Sequence, residues 1–124
     1  MTIHLDTSAL VDALTGPRRS LNVLTGLAEH GHRLSISAIV LYEWLRGPRR
    51  REELVVQEEL FPRNGAVPFG AEQAALAARL YGAVKRGRGR EIDLAIAACA
   101  VHDNATLWTL NQADFRDITD LTLL

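Results

Sequence analysis

Residues 1–12 read Met-Thr-Ile-His-Leu-Asp-Thr-Ser-Ala-Leu-Val-Asp, and this stretch decides the fold. Ile3 to Leu5 is a short apolar run, ended by Asp6-Thr7-Ser8, all residue types that favour helix N-caps. Ala9, Leu10, Ala13 and Leu14 follow at helical spacing, and Gly16-Pro17 stops the element. A strand therefore runs straight into a helix.

The same alternation continues along the chain. Leu21, Leu24, Leu27 and Ala28 predict a helix that stops near His30-Gly31. Leu34 to Ser37 reads as a strand and Ala38 to Arg46 as a helix, broken by Gly47-Pro48. Arg50 to Phe61 reads as helical, and Ala66 to Phe69 as a short strand between Asn64-Gly65 and Gly70. Ala71 to Lys85, rich in alanine, and Ile92 to His102, apolar nearly all round, predict two more helices. Thr106 to Leu110 and Leu121 to Leu123 complete the strands. Strands separated by helices imply right-handed crossovers and parallel pairing. The expectation is one α/β domain over residues 1–124: three layers, α/β/α, around a mainly parallel sheet of four or five strands.

Composition narrows the class. The 124 residues are 48% hydrophobic and 23% charged, as a globular core requires and a disordered tail does not. The longest apolar run, Leu94 to Val101, is far too short to cross a bilayer. The N-terminus lacks a basic leader, and Cys99 is the only cysteine, so a reducing cytoplasm is the expected compartment. A net charge of −1 hides strong patterning, because segments 46–51 and 85–90 hold eight of the fourteen basic residues. An even spread would leave about one or two there, which marks both segments as solvated loops or as phosphate contacts.

The acids follow a topological logic. In a parallel sheet all strand C-termini share one edge, and ligands bind there, where the strand order reverses. Asp6 directly follows the first strand, Glu43 lies about a turn and a half into the helix after the second, and Asp114 trails the strand at 106–110. Asp93 opens the helix that returns antiparallel to that strand. A helix rise and a strand length of about 16 Å each bring Asp93 over the same edge. Four carboxylates should converge. Each has a bland alternative: a helix cap for Asp6, a dipole contact for Asp93, a turn for Asp114, a salt bridge to Arg46 for Glu43. All four alternatives must hold together for the site to vanish. Clustered carboxylates call for a cation, and oxygen donors without a Cys or His set select Mg²⁺ or Mn²⁺. Such an ion can activate water against a phosphodiester.

These motifs resemble the PIN-domain nucleases, and specifically the VapC-type toxins of prokaryotic toxin–antitoxin pairs. The resemblance rests on Leu-Asp-Thr-Ser-Ala-Leu-Val-Asp (5–12), Ser-Ala-Ile-Val-Leu-Tyr-Glu (37–43), Asp-Leu-Ala-Ile-Ala-Ala-Cys-Ala (93–100) and Thr-Leu-Asn-Gln-Ala-Asp-Phe (109–115). It implies that Asp6, Glu43, Asp93 and Asp114 are the acidic quartet that holds Mg²⁺, with Asp6 and Asp93 as principal ligands. It matches Ser8, Thr109 and Asn111 to polar positions around metal and substrate phosphate. It also implies RNA hydrolysis, a homodimer and a cognate antitoxin lying across the groove. Arg49, Arg50 and Arg51 are further candidate substrate contacts, from their clustering alone. A noncatalytic RNA- or protein-binding module on the same fold is the competing reading. A haloacid-dehalogenase phosphatase needs a second aspartate where Ser8 stands, and a receiver domain needs a lysine after its last strand.

Overall fold

The computed structural model describes all 124 residues. The strands are β1 (Thr2–Leu5), β2 (Arg33–Ser35), β3 (Thr106–Trp108) and β4 (Thr122–Leu123). The helices are α1 (Thr7–Leu14), α2 (Leu21–Glu29), α3 (Ala38–Arg46), α4 (Arg51–Leu60), α5 (Ala71–Ala83) and α6 (Glu91–His102). The sheet order is β2-β1-β3-β4, and every neighbouring pair is parallel. Helices flank this sheet in the expected three-layer α/β/α arrangement.

Two strand expectations change. Ala66 to Phe69 does not form a fifth strand; it makes one parallel bridge, Val67 opposite Ser37. Val67 donates to the Ile36 carbonyl at 2.9 Å and accepts from Ala38 at 2.7 Å. Pro68 then has no amide hydrogen to extend the ladder, which stops after one residue. The strand expected over 106–110 ends at Trp108, because the next amides bond side-chain hydroxyls. Leu110 N–H donates to Ser8 Oγ, and Asn111 N–H donates to Thr109 Oγ1, each at 3.0 Å.

Helix α6 is the central pillar. Leu94 to Ala100 are all buried, and the alanines at 95, 97, 98 and 100 leave little bulk, so α5, α3 and β3 pack closely around it. Cys99 lies within this run and its thiol is pushed up to about 11 by burial, as a core cysteine should be. His4, buried in β1, pairs through Nε2 with Asp103 at the end of α6, at 2.8 Å. His102 bonds Glu72 and Gln73 of α5. The two histidine pairs tie β1 and α5 to α6.

A buried polar junction joins α3 to α4. Trp44 is fully buried, which removes it as a surface for stacking bases. Its Nε1–H donates to Gln57 Oε1 at 3.2 Å, and Gln57 Nε2–H donates to the Phe61 carbonyl at 2.9 Å. Removing Gln57 leaves both partners unsatisfied in the core. Gln57→Ala should therefore lower the unfolding free energy by about 2–3 kcal/mol in urea titrations, while Glu59→Ala on the exposed face of α4 changes it by under about 0.5 kcal/mol.

Candidate active site

The strand order places the reversal between β1 and β3. From β1 the chain crosses to β2 on one side and later to β3 on the other, so a crevice opens at their C-terminal ends. Asp6 follows β1 and Thr109 follows β3, and the two side chains meet across that crevice.

Asp6 is only 4% exposed. It occupies the N-cap position of α1, yet its carboxylate caps no backbone amide. Its Oδ2 instead accepts from the Thr109 hydroxyl at 2.7 Å and from the Ser8 hydroxyl at 2.9 Å. Both donations use one oxygen, which leaves Oδ1 for another partner. Capping does not explain this residue. Two hydroxyl donors satisfy one oxygen of this buried carboxylate.

Glu43 reaches the same edge from α3. Thr7 donates its hydroxyl to Glu43 Oε1 at 2.5 Å. The Arg46 pairing expected for it exists but is loose, 3.6 Å, with the guanidinium also over the Tyr42 ring. Asp114 sits exposed in a short 3-10 turn, Gln112–Asp114, anchored by the buried ring of Phe115.

Asp93 shows how these groups sense one another. It stands in the first turn of α6, half-buried, and receives none of the hydroxyl bonds that steady Asp6 and Glu43. Its carboxyl is pushed up to about 6, first by burial and then by the negative charges of Asp6, Asp114 and Glu43. Arg90 offsets this only in part. Asp6, Asp114 and Glu43 thus lie near enough to Asp93 for their charges to reach it. No three acidic, His or Cys side chains stand close enough to close around a metal ion as they are set. The donors are all carboxylate oxygens with surplus negative charge, which suits a hard divalent cation such as Mg²⁺ and disfavours zinc.

The remaining candidates divide. Ser8 and Thr109 lie at the centre. Asn111 contributes its backbone amide to Thr109, while its side chain is exposed. Arg49 is turned inward: its guanidinium stacks 4.2 Å from the Trp44 ring and donates to the Trp44 and Pro48 carbonyls. Arg50 bonds Glu53 at the start of α4, by its backbone N–H at 2.8 Å and its side chain at 3.5 Å. Of these three arginines only Arg51 has no partner in the chain. Sequence reasoning missed Thr7, whose role depends on where Glu43 arrives. It also missed Arg90 as an individual, although it ends the basic run at 85–90. Arg90 donates to both Asp117 oxygens, at 2.6 and 2.9 Å, and to the Asp114 carbonyl at 2.9 Å.

The raised pKa of Asp93 fixes the sign of its effect on stability. Below about pH 4 the carboxyl is protonated in folded and unfolded chains alike, and there is no penalty. Between about 4 and 6 the unfolded chain ionises first, so folding loses stability as the pH rises, and the full penalty is present above about 6. In EDTA, Asp93→Asn should melt a few degrees above the parent at neutral pH and level with it near pH 4. An equal or lower melting temperature at neutral pH would show that this carboxylate is not strained.

The sequence profile of the PIN domain family matches residues 3–121. No curated protein matches the sequence. Solved structures do. A chain in the crystal structure of VapBC2 from Rickettsia felis, bound to a DNA fragment from their promoter, is 27% identical and superposes with a TM-score of 0.80 over 100% of this chain and 98% of that one. A chain of FitAcB from Neisseria gonorrhoeae is 23% identical, with a TM-score of 0.73 over 98% and 96%. A chain of a toxin–antitoxin complex from Klebsiella pneumoniae is 23% identical, with a TM-score of 0.75 over 97% and 95%. The last two speak for the fold alone. A profile match that leaves out only two residues at the start and three at the end makes the assignment plain: the chain belongs to the PIN domain family.

Proposed function

We propose that this protein is a Mg²⁺-dependent endoribonuclease, one domain over residues 1–124, that acts in the cytoplasm as the toxin of a toxin–antitoxin pair. One observation carries the reading. A buried aspartate at the sheet's reversal point, Asp6, is bonded by two hydroxyls, and Asp93 is raised by burial and then by the charges of Asp6, Asp114 and Glu43. Membership of the PIN domain family supports a nuclease. The likeness to a chain of the Rickettsia felis VapBC2 complex supports the toxin role. No helix is long and apolar enough to cross a membrane.

In this reading Asp6 and Asp93 are the principal metal ligands, and Glu43 and Asp114 complete the set. Bound Mg²⁺, or Mn²⁺, supplies a Lewis acid for the phosphodiester and an acidified water. The protein's own groups set the stage for it. Ser8 and Thr109 hold Asp6 through Oδ2 and leave Oδ1 without a hydrogen-bond partner in the chain. Thr7 orients Glu43. Asn111, exposed beside Thr109, is positioned to meet a substrate phosphate, and Arg51 offers an unpaired guanidinium. The protein forms a homodimer, and a cognate antitoxin lying across the groove holds it inactive. An arginine is the side chain best matched to the ring of acids, because its fork can bond two carboxylates and replace the charge of the ion.

RNA should be cleaved with Mg²⁺ or Mn²⁺ and left intact in EDTA, and Asp6→Asn and Asp93→Asn should each bring cleavage to background. Full cleavage in EDTA would sink the metal reading. RNA binding with no cleavage under any divalent ion would favour the noncatalytic module. Expressed alone the protein should arrest growth, and its antitoxin should relieve the arrest. Changing the inserted antitoxin arginine to alanine should restore much of the nuclease activity within an intact complex. A complex that stays silent would place the inhibition at the RNA groove instead of the acidic pocket.

A further inference from the structure

The two basic segments look alike in sequence and differ in three dimensions. Segment 46–51 turns most of its guanidinium groups onto the protein itself: Arg46 over Tyr42 and beside Glu43, Arg49 over Trp44, Arg50 beside Glu53. In segment 85–90 the arrangement is reversed. Lys85, Arg86 and Arg88 are exposed, and none of them takes part in an ion pair.

The loop carrying these three cations is held in one shape. Gly87 is buried against Tyr81, and a Cβ there would lie 2.7 Å from the ring, so no other residue fits without movement. Gly89 has φ +85°, a left-handed turn that glycine adopts freely. Arg90 N–H closes the turn onto the Gly87 carbonyl at 2.8 Å. The Arg90 side chain then clamps the loop to Asp117 and to the backbone of Asp114. Asp93 lies three residues further on. The loop is therefore pinned to both sides of the acidic site.

A polyanion approaching four carboxylates is repelled until something at the rim attracts it, and a net charge of −1 gives the whole molecule no general pull. Three unpaired cations on a rigid loop beside the acids supply that attraction locally. We infer that the Lys85–Arg88 loop is the seat for the RNA backbone, with Arg86 and Arg88 gripping phosphates that flank the bond to be cut. This inference rests on the nuclease reading above and deepens it, by assigning the main phosphate contacts to this loop and leaving only Arg51 of segment 49–51 free to add to them. Arg90 is the loop's fastening and touches no substrate.

The test measures fluorescence anisotropy of a labelled single-stranded oligoribonucleotide against the full chain, in EDTA, over a salt series. Arg86→Gln/Arg88→Gln is compared with Arg18→Gln/Arg33→Gln, which removes the same charge from the opposite edge, where α1 ends and β2 begins. The loop variant should bind about tenfold more weakly at low salt, and its slope of log affinity against log salt should flatten by about 1.4. The opposite-edge variant should change affinity less than twofold. Equal losses in the two variants would overturn the assignment, as would unchanged binding in the loop variant. A loop variant that keeps RNA affinity but escapes its protein inhibitor would overturn it too, and assign the loop to that partner. A parent chain that neither binds nor cleaves RNA fails the nuclease reading itself, an outcome separate from a parent that cleaves while the loop variant binds normally.

Discussion

The bond from the Thr109 hydroxyl to the buried Asp6 carboxylate ties the structure together. It spans the gap between β1 and β3, where the strand order reverses and where a parallel sheet leaves its crevice. A carboxylate that is 4% exposed requires donors, and Thr109 and Ser8 supply them. The same two hydroxyls accept from the amides of Asn111 and Leu110, so β3 ends where the site begins. Strand length, loop direction and the aim of the first acid all follow from one small polar cluster.

Around that cluster the charges are deliberately unequal. Asp6 and Glu43 are steadied by hydroxyls, while Asp93 has none and carries the strain of its neighbours. Arg90 sits close enough to ease Asp93 but is engaged with Asp117, whose carboxyl it holds below the ordinary range. The arginine therefore shapes the backbone at Asp114 without cancelling the acids. Asp93 therefore keeps the unbalanced charge of its acidic neighbours.

Much of this was legible from sequence, for identifiable reasons. Ala38–Arg46 has the predicted helix bounds because Ser37 caps Val40 and Gly47-Pro48 forbids continuation. Helix α6 was readable because an apolar run without a polar face has to be buried on several sides. Asp6 was placed by its position after a strand, and Asp93 and Asp114 by the lengths of one helix and one strand. The segment at 66–69 misled because its apolar residues resemble a strand, while Pro68 allows only a single bridge.

The order of apolar runs, caps and breakers determined that strands alternate with helices, and parallel pairing then obliged the four acids toward one edge. Those are local and topological constraints, and they are written in the chain. Which hydroxyl meets which carboxylate was decided only by tertiary structure, because Thr109 and Asp6 are over a hundred residues apart and hydrogen bonds form within about 3 Å. The same holds for the arginines. Arg49 and Arg88 are indistinguishable as letters, yet one lies against the buried Trp44 and the other stands exposed on a loop pinned beside the acids. Packing assigns a charged side chain its partner, and the available partners exist only once the chain has folded.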